Sequence, residues 1–364
     1  MKTFCSLCGR QDTFNPYDYC CACGGALEPV LDFGFDVNKI DDADASLWRY
    51  AALLPKEASR DPIRLGAGWT GLLPLDQSNV SPLVKLEYLS PTASFKDRGT
   101  EVEFTFLKNY GIKKAVEDSS GNAGASAAAY AARSGIGLEI FAPDNTSVPK
   151  LDQIKAFGAS IRLIAGLRQI ATDTCINAVE QGVCYASHAW SPAYLLGQTT
   201  FAWEVWEQLG KDIPEELFFP VGQGGLLMGA WLGFTALIES HLISRLPRLS
   251  IVQPNNFCPM VQAVNENWNE WQILPALPSA ADGLSVSSPV RWKRIQQAVT
   301  QSGGRAIAVI EDEIITARTQ LARHGFYVEP SSAVAFAGYV QVYADSKGER
   351  VVIPLTGSGL KSKK

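Results

Sequence analysis

Short runs rich in Val, Ile, Leu and Phe alternate with longer segments of helical period along most of this chain, and no other feature constrains its fold as much. Strands are expected at "PLVKLEYL", "KKAVEDSS", "GLEIFAP", "SIRLIAG", 183–186, "ELFFPV", "RLSIVQP", "RAIAVI" and "RVVIPLT". Helices are expected at 96–110, 122–134, "PKLDQIKAFGA", 167–181, 192–209, 226–243, near Met260, 311–323 and 331–343. A strand that reaches the next through a helix pairs with it in parallel, and a parallel sheet is covered by helices on both faces. The 364 residues are enough for two such sheets. The expected fold is therefore α/β, with two doubly wound parallel-sheet domains behind a small head. The head takes 1–30, a large domain 31–90 and 191–364, and a small domain 91–190. Ahead of the sheets, "LWRYAALLP" reads as a short helix stopped by proline and "GAGWTGLLPL" as a loop.

The head holds five of the eight cysteines. "CSLCG" and "CCACGG" set Cys5 with Cys8, and Cys20 with Cys23, each pair two residues apart and followed by glycine. Thiolates at this spacing can turn inward on one tetrahedral zinc, leaving Cys21 spare. Two disulfides are the other arrangement. The start, "MKTFCSLCGR", lacks the apolar run of an export signal, which argues for a reducing, cytoplasmic location and for zinc. Four thiolates leave the metal no open position, so the expected zinc is structural. Cys175, Cys184 and Cys258 are scattered and read as core.

Charge excludes several partners. The net charge is -5, and the one basic cluster is the tail, Lys361, Lys363 and Lys364, which reads as solvated. Nucleic acid is not expected. The uncharged stretch from Glu216 to Glu239 is long enough for a bilayer, but Pro220, Gly222, Gly224 and Gly225 break it into strand, loop and buried helix. No membrane partner is expected. His188, His241 and His324 lie outside the glycine loops, and no Ser/His/Asp arrangement suggests itself. Trp268 and Trp271 in "NENWNEW" read as a semi-exposed helix face.

Ligands of an open α/β sheet bind at the carboxyl ends of its strands, and four segments fall there. "SPTASFKDRGT" places Lys96 at a helix start, where the dipole disfavours its positive charge; an amine lowered in this way can bond an aldehyde. "SSGNAG" (119–124) offers hydroxyls, backbone N–H groups and a helix N-terminus to a carboxylate, and Asn122 can donate to a phenolate. "PVGQGGLL" (220–227) is a glycine loop suited to one phosphate monoester; it matches neither the nucleoside-triphosphate nor the dinucleotide pattern. "PLTGSGLK" (354–361) offers the hydroxyl of Thr356 or Ser358 to a ring nitrogen. Singly, each is also an ordinary solvated lysine, helix cap or glycine turn. Together they are the inventory for pyridoxal phosphate and an amino-acid substrate.

In the same order, these segments resemble the threonine synthase branch of the fold type II (tryptophan synthase β-like) pyridoxal-phosphate enzymes. "PTASFKDRG" resembles the pattern P-T-G-S-F-K-D-R-G of that family; "SSGNAGAS", "PVGQGG", "VEPSSA", "LTGSGLK", "GWTGL" and the zinc-ribbon head match its other blocks. The resemblance implies that Lys96 bonds the cofactor and shuttles the proton. It further implies Asn122 at the ring oxygen, Gly222, Gln223, Gly224, Gly225 and Leu226 at the phosphate, and Thr356 at the pyridine nitrogen. Ser119, Ser120 and Ala123 would flank the substrate carboxylate, and Glu329 would have a structural role. A hydroxyl at the ring nitrogen makes a milder electron sink, suited to elimination or replacement at the β or γ carbon. A homodimer is also implied.

One block departs. Where the family carries N-P-x-R-[IL]-E-G-Q-K-T, this chain has "SPAYLLGQTT": Ser191 replaces the Asn and Tyr194 the Arg. A phenol does not replace a bidentate, always-charged phosphate partner. Three functions are therefore expected in turn. The named candidate is threonine synthase activity, O-phosphohomoserine to threonine plus phosphate. The second is a paralogous β-replacement enzyme or ammonia-lyase (serine/threonine dehydratase, cysteate or cysteine synthase type). The third, a non-catalytic zinc-ribbon interaction protein, has no need of Lys96.

Overall fold

The alternation read from the sequence becomes thirteen strands and eleven helices among the described residues of a computed structural model, which describes all but 32–33, 77–80, 145, 147, 167, 344–349 and 363–364. The tail residues Lys363 and Lys364 thus lie outside the described residues. In chain order the elements are β1 (Lys2–Cys5), β2 (Gln11–Thr13), β3 (Leu27–Pro29), α1 (Lys56–Ser59), β4 (Leu72–Pro74), β5 (Leu83–Lys85) and α2 (Lys96–Asn109). Then come β6 (Lys114–Glu117), α3 (Asn122–Ser134), β7 (Gly137–Pro143), α4 (Val148–Ala156), β8 (Ser160–Ile164), α5 (Arg168–Glu180), β9 (Cys184–Tyr185) and α6 (Pro192–Gln208). The remainder is β10 (Glu216–Pro220), α7 (Gly225–Glu239), β11 (Arg248–Pro254), α8 (Pro259–Asn265), α9 (Trp292–Ser302), β12 (Ala306–Val309), α10 (Glu311–Arg323), α11 (Pro330–Tyr343) and β13 (Val351–Pro354).

The chain forms two compact units, Met1–Trp69 with Ser90–Thr200, and Thr70–Leu89 with Phe201–Lys364. These divisions differ from the domain limits read from the sequence. The segment before Trp69 and the first half of α6 fall in unit 1, and a helix whose interior is a boundary gives no composition signal there.

Unit 1 contains an antiparallel ribbon, β2-β1-β3, and a parallel sheet, β8-β7-β6-β9. Its alanine-rich helix α3 buries Ala125, Ala127, Ala128, Ala129 and Ala131 in a core with Phe104, Leu107 and Ile140. Alanine suits this place because it is the best helix former and costs no side-chain entropy on burial. The ribbon is stapled to the same unit by Phe14, whose ring meets Phe106 and Tyr110 edge-on at 5.3 and 5.6 Å.

Unit 2 is a six-stranded sheet, β12-β11-β10-β13-β5-β4, parallel but for β4 at its edge. The run "ELFFP" is apolar because β10 is central, with Leu217, Phe218 and Phe219 all buried. Its exception, Glu216, is fully buried and accepts from Arg248 Nε (3.1 Å), Arg305 Nε (3.3 Å) and Tyr343 Oη (2.7 Å). Such a set of partners is what a buried carboxylate requires.

Several expectations are corrected. "GAGWTGLLPL" contains a strand, β4, because its backbone completes an antiparallel edge against β5. "PLVKLEYL" is a strand only to Lys85 and turns into a 3-10 segment at Glu87–Leu89. Trp268 and Trp271 are not on a helix face. Helix α8 ends at Asn265, Asn267 takes a left-handed φ of 50°, and Trp268 is buried. Helix α9 was not foreseen, since no capping side chain announces its start. The uncharged stretch ending at Glu239 is strand, loop and helix; among the described residues no helix is long and apolar enough to cross a membrane.

Candidate functional site

In "SPTASFKDRGT" each residue around Lys96 has a separate task. Lys96 opens α2, and its ammonium lies 4.7 Å from the centre of the Phe95 ring. Asp97 is fully buried and accepts from the Thr92 N–H, the Thr92 hydroxyl and the Ser126 hydroxyl, each at 2.6 Å. It therefore pins the turn before Lys96 and ties α2 to α3. Arg98 donates to Thr200 Oγ1 at 3.1 Å. Gly99 admits the ring of Tyr194, which a Cβ would meet at 2.6 Å. One turn on, Glu101 accepts from Trp48 Nε1 (2.5 Å), Tyr130 Oη (2.7 Å) and the N–H groups of Ala67 (3.2 Å) and Leu65 (3.3 Å). These bonds hold the segment that enters the main fold.

The second segment stands as expected. Strand β6 ends at Glu117 and α3 opens at Asn122, with Ser119, Ser120 and Gly121 forming the turn. Ser119 is buried and accepts from the Gly121 N–H at 3.4 Å. Behind it Asp118 accepts from Tyr185 Oη (2.8 Å) and Thr172 Oγ1 (2.6 Å). Ala123 is buried in the first turn of α3. At the start of α6, Ser191 accepts from the Tyr194 N–H at 3.2 Å. The Tyr194 phenol is buried, and among the described residues its oxygen has no hydrogen-bond partner in good geometry. Unit 1 thus holds Lys96, Ser119, Ser120, Asn122, Ala123, Ser191 and Tyr194.

Unit 2 holds the others. Gly224, the cap residue of the 15-residue helix α7, takes φ 75°, which favours glycine, and a Cβ there would lie 2.4 Å from Ile295. Its neighbours Gly222 and Gln223 precede the open N–H groups of that helix, and Leu226 is buried in its first turn. A helix N-terminus after a glycine turn is a ready anion site. Gln223 Oε1 accepts from the Val290 N–H (3.2 Å), and Gln253 donates to the Val221 carbonyl (2.9 Å), so the turn is anchored at both sides. Thr356 follows β13, is buried, and donates its N–H to Ser332 Oγ at 2.8 Å. Glu329 donates its N–H to the Gly357 carbonyl at 3.0 Å, beside Thr356.

The ribbon brings together Cys5, Cys8, Cys21 and Cys23, whose sulfurs all lie within 4.8 Å of one another. Tetrahedral zinc with bonds of about 2.3 Å needs sulfurs about 3.8 Å apart. Cys8 and Cys21 are 3.8 Å apart, and Cys5 and Cys23 are 3.4 Å apart. The cluster differs from the expected set in one member: Cys21 stands in it in place of Cys20. The physical reason is the backbone: Cys20 bridges Ala26, while Cys21 donates to the Gly25 carbonyl and turns its thiol to the cluster. Burial raises the Cys5 thiol, but N–H groups of Cys8 and Leu7 outweigh it and bring it to about 7, whereas the Cys23 thiol, eased by the Gly25 N–H, is pushed up by its neighbouring thiols to about 12.

Two parallel α/β sheets with glycine turns after their strands define the fold of a type II pyridoxal-phosphate enzyme. Solved structures share it: the processed form of threonine deaminase isoform 2 from Solanum lycopersicum has a TM-score of 0.71 at 24% identity, covering 90% of this chain and 88% of that one. Maize serine racemase has 0.69 at 21% identity, covering 80% and 88%. The chain belongs to the pyridoxal-phosphate dependent enzyme family, whose pattern matches residues 63–357. It is 31% identical to the threonine synthase of Methanocaldococcus jannaschii over 372 residues, covering 98% of this chain and 92% of that one. The threonine synthase of Methanosarcina acetivorans is 30% identical, covering 98% and 91%.

Proposed function

We propose that this chain is a lyase or synthase acting at the β or γ carbon of an amino acid, with O-phosphohomoserine and water going to threonine and phosphate as its reaction. One observation carries the proposal: the near full-length match to named threonine synthases falls on a chain whose Lys96 opens α2 beside a turn pinned by Asp97. The residues present fit pyridoxal phosphate. Gly222, Gln223, Gly224, Gly225 and Leu226 at the head of α7 would hold its phosphate, Asn122 its ring oxygen and Thr356 its ring nitrogen. Bound there, the cofactor supplies an electron sink for charge developing at the substrate's α carbon.

The chain's own groups do the rest. Lys96 would hold the cofactor through its aldehyde and carry the α proton. Ser119, Ser120 and Ala123 hold the substrate carboxylate at the start of α3, and Ser191 and Tyr194 meet its far end. Cys5, Cys8, Cys21 and Cys23 hold a structural zinc. The eight free cysteines agree with a reducing cytoplasm, and the enzyme acts as a homodimer.

A second reading has a specific observation behind it. Tyr194 is a neutral, buried phenol, and the Glu103 carboxyl on α2 is fully buried too. Neither welcomes a phosphate dianion, which favours a paralogue with another leaving group, such as an O-acetylated substrate or free threonine.

Visible absorbance of the purified protein with pyridoxal phosphate, then with O-phosphohomoserine and a panel of amino acids, tests both. A band absent from Lys96→Ala and shifted by O-phosphohomoserine, with phosphate and threonine released, is the expected result. A band shifted only by another amino acid selects the paralogue, and no Lys96-dependent band removes both readings.

A further inference from the structure

Glu117 ends β6, is fully buried, and has one oxygen unaccounted for. Its Oε1 lies 2.9 Å from His188 Nδ1, while Oε2 is buried and, among the described residues, has no side-chain partner. The side chain of His188 is 10% exposed and stands edge-on to the Tyr194 ring at 6.2 Å. That ring packs on Gly99, less than one turn from Lys96. Gln198, one turn further along α6, donates to the carbonyl of Phe95, the residue before Lys96, at 3.4 Å. The contacts therefore run from the neighbours of Lys96 around to Glu117.

The groups facing Glu117 are Lys96 and Glu103 from α2, Asp118 next in the chain, Cys175 from α5, Tyr185 from β9 and Tyr194 from α6. Burial foremost, then Asp118 and Glu103, push the Glu117 carboxyl well above its ordinary range, and Lys96 pulls it down. A buried carboxylate with an unfilled oxygen is costly unless it keeps or shares a proton. The imidazole is hydrogen-bonded to it, with the His188 backbone N–H also favouring its charged form, and an imidazole can carry that proton.

We propose that Glu117 and His188 are a positioning pair that holds one shared proton and so sets the charge against which Lys96 works. The inference rests on the reading of Lys96 as the cofactor lysine. With the proton, the pair is neutral in sum. Without it, one negative charge faces Lys96 and favours its cationic form. The two titrations are then coupled.

The chain has only three histidines, so the His188 resonance can be assigned by its loss in His188→Gln. It is followed against pH in the full-length protein, alongside the visible band of the same protein loaded with pyridoxal phosphate. In Glu117→Gln the His188 midpoint is expected to fall by about one unit or more, because the opposite charge is gone. The band should show an inflection at the wild-type His188 midpoint that both variants lose. An unchanged midpoint overturns the shared proton. A moved midpoint with an unchanged band profile overturns the link to Lys96. Should Glu117→Gln not fold, His188→Gln decides alone, and an inflection that persists there overturns the inference. A wild-type protein with no band removes the proposed function and the positioning role together, whereas a band with an unaltered profile removes the positioning role only.

Discussion

Ala93 stands where the family pattern P-T-G-S-F-K-D-R-G has glycine, and it takes a left-handed φ of 64°. A Cβ in that region costs about 1 kcal/mol that glycine avoids. The strain is held by the turn, whose Ala93 N–H donates to the Ser90 carbonyl at 2.8 Å, and by Asp97. Ala93→Gly is therefore expected to stabilise the protein by up to about 1 kcal/mol, seen as a higher denaturant midpoint at unchanged slope. A lower midpoint would show that the turn gains nothing from the relief. At this scale the place of Lys96 at a helix start was legible because a turn precedes it and a helical period follows. The roles of Asp97 and Gly99 were not, because each depends on a side chain far off in sequence, Ser126 for one and Tyr194 for the other.

In the ribbon, the element bears on the motif. Spacing favoured Cys20 with Cys23, yet the bridge of Cys20 to Ala26 commits Cys20 to the strand, and the tight turn at Gly24 and Gly25 presents Cys21 instead. Cys21→Ser is expected to lose bound zinc and to loosen the ribbon, while Cys20→Ser keeps a full equivalent. Metal analysis of the two purified variants decides it; zinc lost in Cys20→Ser and kept in Cys21→Ser would return the site to its sequence-read ligands. Elements with an inward stripe and a clear stop were readable in advance. Helix α3 and strand β7 have the limits that were expected, since alanine and glycine punctuate them. Strand β4 lacks such marks and exists because the sheet edge makes room for it, whereas helix α9 has an inward stripe of Ile295, Ala298 and Val299 and a glycine stop at Gly303, and lacks only a capping side chain at its start.

Over the whole molecule, stability should depend on the buried acids. Burial lifts the Glu103 carboxyl to about 8, and its hydrogen bond with Ser191 only partly offsets this. The folded state therefore binds a proton that the unfolded state has already lost. The contribution is fully present below the ordinary value of 4.5 and is lost as pH rises from there through about 8. Glu103→Gln is expected to flatten the fall of the melting temperature between about pH 4.5 and 8 and to add on the order of a few kcal/mol above pH 8. A fall as steep as in the wild type would show that the carboxyl is solvated or paired in solution.

By itself the sequence determined the α/β class, the glycine turns after strands, the lysine at a helix start and the cysteine-rich head. Each of these follows from local rules: periodicity, the backbone freedom of glycine, and thiol spacing. The tertiary structure alone decided which thiols converge, where the two units divide within α6, and that Glu117, His188 and Tyr194 share one neighbourhood. Contacts such as that of Glu117 with His188 join residues 71 positions apart. They arise only when β6, α2 and α6 pack, because burial selects partners by space and charge rather than by position in the chain.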